Sequence, residues 1–238
     1  MPDRPSPPAP RGRSRIATTD EVDGFLEHVR AAPGPGAGPA RLVFALDATA
    51  SRQPTWDRAA SLQVGMFESV REIGALDVQL AYYRGHAECR ASPWTSDPRR
   101  LARWMERIEC RAGRTQIARV LEHGNAEARR GPLRALVFVG DKVEEDVDRL
   151  GDLAGQSRLL GLPVFVFQEG SDAQAAYAFG QIATVSGGAH ERFDDRAAHR
   201  LGELLNAVAA WATGGREALA RLGRRSSAAA ALLGRLER

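Results

Sequence analysis

Residues 42–46, Leu42-Val43-Phe44-Ala45-Leu46, form an uninterrupted apolar run that stops on a polar stretch, Asp47-Ala48-Thr49-Ala50-Ser51. A short continuous run bounded by a polar loop is the pattern of a strand buried on both faces. Such strands belong to parallel sheets covered by helices, which confines the chain to folds where strands and helices alternate. In open sheets of that kind, ligands bind beyond the carboxyl ends of the strands. Here that end offers one carboxylate and two hydroxyls at alternate positions, with no nitrogen or sulfur. All three are hard oxygen donors suited to a small divalent cation. Asp, Thr and Ser also start helices by accepting from the first free N–H groups, and the triplet read alone favours that second role.

Two distant segments shift the balance. Ala135-Leu136-Val137-Phe138-Val139-Gly140-Asp141 is a second buried strand with an acid at its carboxyl end. Between the two, Cys110-Arg111-Ala112-Gly113-Arg114-Thr115-Gln116-Ile117 places a hydroxyl at a glycine-containing turn that leads into a helix. Strand-like and helical runs alternate through the rest of the body. A helix is expected over residues 56–74 and a strand over 77–83. A turn at 84–87 then leads to an antiparallel edge partner at 87–93. Helices are expected at 98–108, 115–129, 146–160 and 176–186, and strands at 162–167 and 190–193. Leu201, Leu204, Leu205, Val208 and Trp211 mark an amphipathic helix over 197–213. The pattern predicts an α/β fold with helices on both faces of the sheet.

The order of strand, D-x-T-x-S, loop Thr and strand-end Asp resembles the von Willebrand factor A-type domain and its metal-ion-dependent adhesion site. The matching positions are Asp47, Thr49, Ser51, Thr115 and Asp141. Thr49 replaces the family's Ser and keeps the hydroxyl. Lys142 stands where many members carry Gly, and its ammonium repels a cation unless Glu144 and Glu145 pair with it. The phrase F-x-x-I-A-x-x-S-G-G at 179–188 is similar to the family's approach to its last strand. The resemblance covers roughly residues 41–213. It implies a Rossmann-like, doubly wound, mostly parallel sheet with one antiparallel edge strand. It also implies a Mg²⁺ or Mn²⁺ ion held directly by Thr49 and Ser51 and mainly through water by Asp47 and Asp141, with Thr115 entering or leaving the inner shell. A partner protein's exposed Asp or Glu would complete that shell. Trp56, Arg114 and Lys142 are assigned to the partner-binding rim. No nucleophile or general base is implied, so the expected function is recognition without turnover.

Outside that body, residues 1–40 read as a disordered, Pro-rich start, a short helix at 18–31 and a Pro/Gly linker, and residues 214–238 as an Arg-rich helical extension. The formal charge of +3 is uneven: residues 1–16 carry four Arg against one Asp, residues 214–238 six Arg against two Glu, and the body between is left at −4. These ends read as solvated, with a nucleic acid not expected as partner. Leu219, Leu222, Ala229, Leu233 and Leu236 in the extension suit a helix–helix contact with a partner, an Arg-rich interfacial helix or a helix folded back on its own body. No apolar run is long enough to span a membrane and the start lacks an apolar signal region. Reduced Cys89 and Cys110 and a cytoplasmic location follow as expectations.

Two rival functions are visible. Gly140-Asp141 with Asp146 resembles the acidic motif of haloacid-dehalogenase-type phosphatases, with Asp47 as nucleophile. The general acid those enzymes carry two residues later is Thr49 here, a loss of roughly two to four orders of magnitude in rate. The second rival is nucleic-acid binding through the basic ends, which would be steeply salt-dependent. His28, His86, His123, His190 and His199 show no ligand spacing for zinc.

Overall fold

The computed structural model describes residues 40–53, 76–193, 198–224 and 226–236. Six strands make one sheet: β1 (Ala40–Asp47), β2 (Leu76–Arg84), β3 (Glu88–Ala91), β4 (Leu133–Gly140), β5 (Val164–Glu169) and β6 (His190–Phe193). Their order is β3-β2-β1-β4-β5-β6. β1 pairs in parallel with β2 and β4, β4 with β5 and β5 with β6, while β3 runs antiparallel at one edge. The fold is therefore the doubly wound α/β arrangement that the alternating runs predict. Strand order reverses between β1 and β4, which opens the crevice where such sheets take ligands.

Among the described residues, six α-helices accompany the sheet: α1 (Pro98–Met105), α2 (Ile117–Arg130), α3 (Val147–Leu159), α4 (Ala173–Ser186), α5 (Ala198–Gly223) and α6 (Ser227–Leu236). Alternate residues of each strand serve opposite faces. Leu42, Phe44, Leu46, Val137, Val139 and Phe165 pack with α1, α5 and α6. Val43, Ala45, Leu136, Phe138, Val164 and Val166 pack with α2, α3 and α4. Acidic side chains begin three of these helices: Asp97 accepts from Arg99 N at 2.9 Å, Asp146 from Asp148 N at 2.9 Å, and Asp172 from Ala175 N at 2.7 Å. Gly187 ends α4 in the left-handed conformation at φ 80°, which only glycine adopts at little cost.

Several element ends differ from the sequence expectation for physical reasons. β5 starts at Val164 and not at residue 162, because Pro163 has no N–H to give and contributes its carbonyl to Leu136 N (3.1 Å). α1 ends at Met105, and Ile108 reaches the core through a turn in which its N–H donates to Met105 O. α4 begins three residues early because Asp172 caps it. The helices expected at 18–31 and 56–74 and the Pro/Gly linker lie outside the described residues.

α5 is broken at Gly214 and Gly215, whose backbone is not helical. Beyond the break the chain folds back: Leu219, Ala229 and Leu232 are buried in one cluster with the sheet, and Leu222, Leu233 and Leu236 pack against it. Among the described residues, the apolar positions of this extension pack within the chain. No helix of the described residues is long and apolar enough to cross a membrane.

Leu232→Ala removes a side chain with 0% exposure and is expected to lower the unfolding free energy by about 2–4 kcal/mol. Urea unfolding followed by far-ultraviolet circular dichroism and by tryptophan fluorescence checks this. Coincident curves displaced together are expected; an unmoved fluorescence curve would mean that α6 is not part of the same cooperative unit.

Candidate functional site

β1 and β4 deliver their carboxyl ends side by side: Leu46 lies opposite Val139, so Asp47 is level with Gly140 and one residue short of Asp141. Asp47 is fully buried. Its Oδ1 accepts from Thr49 N at 2.7 Å and its Oδ2 from Tyr83 OH at 2.8 Å, the latter reaching across from β2. Burial nevertheless raises the Asp47 pKa, opposed by the hydrogen bonds from Thr49 and Tyr83 and reinforced by the charge of Asp141. Tyr83 is itself buried and held well above the usual phenol range by burial and then by Asp47. It stays protonated and donates.

The Thr49 hydroxyl does not cap the turn that follows it, a single turn of 3₁₀ helix at Ala50–Arg52. Thr49 Oγ1 and Ser51 Oγ lie 3.1 Å apart, a pair of adjacent neutral oxygens. Thr49 is buried and Ser51 exposed, so the pair spans from the interior to the surface.

Thr115 is buried on the loop that abuts this one: Arg111 N donates to Ala48 O (3.0 Å), and Thr49 and Arg111 form a parallel bridge. The same loop is pressed against the β2–β3 turn, where Arg114 N donates to Gly85 O at 3.1 Å. A Cβ on Gly113 would overlap the Gly85 backbone, so glycine is needed for that approach. Thr115 Oγ1 accepts from Glu144 N (3.0 Å), and Glu144 Oε2 accepts from Thr115 N (3.1 Å). Glu145 accepts from Ile117 N (2.6 Å) and Ala118 N (2.9 Å), fixing the start of α2. These two carboxylates thus face α2 and not Lys142, which is exposed and makes no ion pair among the described residues. Arg114 is exposed too. Trp56 lies outside the described residues.

Asp141 carries the telling atom: its Oδ1 is buried without a protein hydrogen-bond partner. A buried carboxylate oxygen left unanswered is costly, and a hard cation is the ligand such an oxygen fits. No three His, Cys, Asp or Glu side chains cluster for a metal among the described residues; the donors here are two carboxylates and three hydroxyls. Sequence reasoning missed Tyr83 and a buried ion pair, Arg52 with Glu169, and offered Glu144 and Glu145 to Lys142 where they bond to Thr115 and the start of α2. Glu169 had a signal, an acid ending a buried strand as Asp141 does. Arg52 and Tyr83 had none.

Comparison with solved structures supports the architecture. A von Willebrand factor type A protein from Catenulispora acidiphila superposes with a TM-score of 0.61 at 15% identity, over 75% of this chain and 44% of that one. The SpRpn10 VWA domain gives 0.55 at 10% identity, over 69% and 95%. An aerotolerance-related membrane protein from Bacteroides fragilis gives 0.51 at 20%, over 71% and 99%. The fold is that of a von Willebrand factor A-type domain. This chain spans less than half of the Catenulispora chain and nearly all of the other two. No protein-family model matches the chain, and no curated protein sequence does.

Within this von Willebrand factor A-type fold, Asp47 has a sign-determined effect on stability. Its folded pKa lies above its unfolded one, so in the interval between them the folded state binds more protons and stability falls as pH rises. At neutral pH the ionised group therefore costs stability. Asp47→Asn is expected to raise the metal-free melting temperature at pH 7, with the gap closing on acidification. A lower melting temperature at pH 7 would show that the two hydrogen bonds outweigh the burial.

Proposed function

We propose that the chain is a divalent-cation-dependent protein-binding module. The observation that carries this reading is the buried, unanswered Oδ1 of Asp141 at the same sheet edge as Asp47 and the Thr49–Ser51 hydroxyl pair. Thr49 and Ser51 would hold a Mg²⁺ or Mn²⁺ ion directly, Asp47 and Asp141 would balance its charge mainly through water, and Thr115 would complete or leave the shell. When bound, the ion supplies an open coordination position for an acidic side chain of another protein. Tyr83 and Thr49 N keep Asp47 fixed in orientation, and the loop of Thr115 is fixed by Glu144. Arg114 and Lys142, both exposed, set a positive rim that suits an incoming Asp or Glu.

The reading is one of recognition without turnover. Asp146, the second acid a phosphatase would need, is exposed and caps α3. Cys89 and Cys110 form no disulfide with each other.

Capture from native lysate by wild type and by Asp47→Ala, each in Mg²⁺ and in EDTA, tests the reading. A partner retained by wild type in Mg²⁺ alone is expected, with loss of roughly tenfold or more in the other three arms. Capture indifferent to both metal and Asp47 would place binding on another surface.

A further inference from the structure

Arg52 follows directly on Ser51 in a surface loop, yet it is 1% exposed and heads the largest fully buried side chains. Its guanidinium is ion-paired with the carboxylate of Glu169, the last residue of β5, which is 11% exposed. Strand register places this pair beside the oxygen cluster. Leu46 lies opposite Val139 and Gly140 opposite Gln168, so Asp47, Asp141 and Glu169 end three neighbouring strands within one residue of each other. Burial disfavours the charged guanidinium, and the negative charges of Asp47 and Asp141 oppose that effect. Chain adjacency to Ser51 and pairing with Glu169 at the end of the strand beside Asp141 place the guanidinium at the same sheet edge as both acids.

A fixed positive charge in such a place has two consequences. It offsets the mutual repulsion of Asp47 and Asp141, which lets both acids pack at a buried edge without a metal. It also repels any second cation, and in a partly desolvated setting that repulsion is only weakly screened.

We propose that Arg52 is the internal counter-cation of the oxygen cluster and holds its affinity for a bare divalent ion low. The inference rests on the reading of the cluster as a cation site. A partner's carboxylate arriving at the ion adds the negative charge that offsets Arg52, so ion and partner bind more tightly together than either alone. Glu169 moderates the effect by neutralising part of the guanidinium charge.

The test is Mn²⁺ binding to the full chain, measured by electron paramagnetic resonance of the free ion and by calorimetry. It compares wild type, Arg52→Met, Glu169→Gln and the double variant. Arg52→Met removes the cation and leaves Glu169, so Mn²⁺ should bind roughly tenfold tighter; Glu169→Gln removes the carboxylate that offsets part of the Arg52 charge, and binding should weaken by a similar factor. The double variant should fall between them. If Arg52→Met does not fold, the double variant against Glu169→Gln still isolates the guanidinium, since neither carries the Glu169 charge, and the double variant should bind tighter. A residue that merely props the loop would weaken binding in every variant, and that outcome overturns the proposal. Absence of Mn²⁺ binding in all four chains at millimolar metal would remove the cation-site reading itself, and this inference with it.

Discussion

A carboxylate closed off from water at the end of a central strand must be met by donors or by charge, and much of this structure is organised around that requirement at Asp47. β1 is central because it pairs on both sides, and its last residue is buried with the rest. The backbone of the next loop turns so that Thr49 N reaches Oδ1, and β2 sends Tyr83 to Oδ2. Tyr83 in turn stacks near Phe138 of β4, at 6.1 Å between ring centroids. One acid thus fixes the path of a loop, the choice of an aromatic on a neighbouring strand and part of the packing beneath it.

The charge pattern at the sheet edge is built from units that answer one another. Glu144 and Glu145 are directed to backbone N–H groups at the head of α2, where a helix dipole favours negative charge. Glu169 meets Arg52. Asp141 alone among these acids keeps an oxygen inside the protein with no donor of the chain on it. The asymmetry among the acids of one edge, more than their number, sets Asp141 apart within the proposed cation site.

The strands of the sheet were legible because a parallel strand covered on both faces has to be apolar throughout, and Leu42 to Leu46 and Ala135 to Val139 are. The D-x-T-x-S spacing, the loop Thr115 and the strand-end Asp141 were legible as local patterns. What could not be read depends on which strand lies beside which. Tyr83 bonds a residue 36 positions away, and Arg52 pairs with one on a strand more than a hundred residues on. Arg52 in particular reads in sequence as a solvated residue of an Arg-rich chain. Glu144-Glu145-Asp146 reads as a surface run, yet each side chain secures a helix start or the loop before it.

The grip of Glu144 and Glu145 on Thr115, Ile117 and Ala118 has a mechanical meaning. Four hydrogen bonds join the loop after β4 to Thr115 and to the first two residues of α2, so the stretch bearing Asp141 is held to the start of the helix. Further along α2, His123 touches Gln79 of β2 at 2.7 Å. The helix therefore ties the strand-end loop after β4 to β2, the strand beside the antiparallel edge.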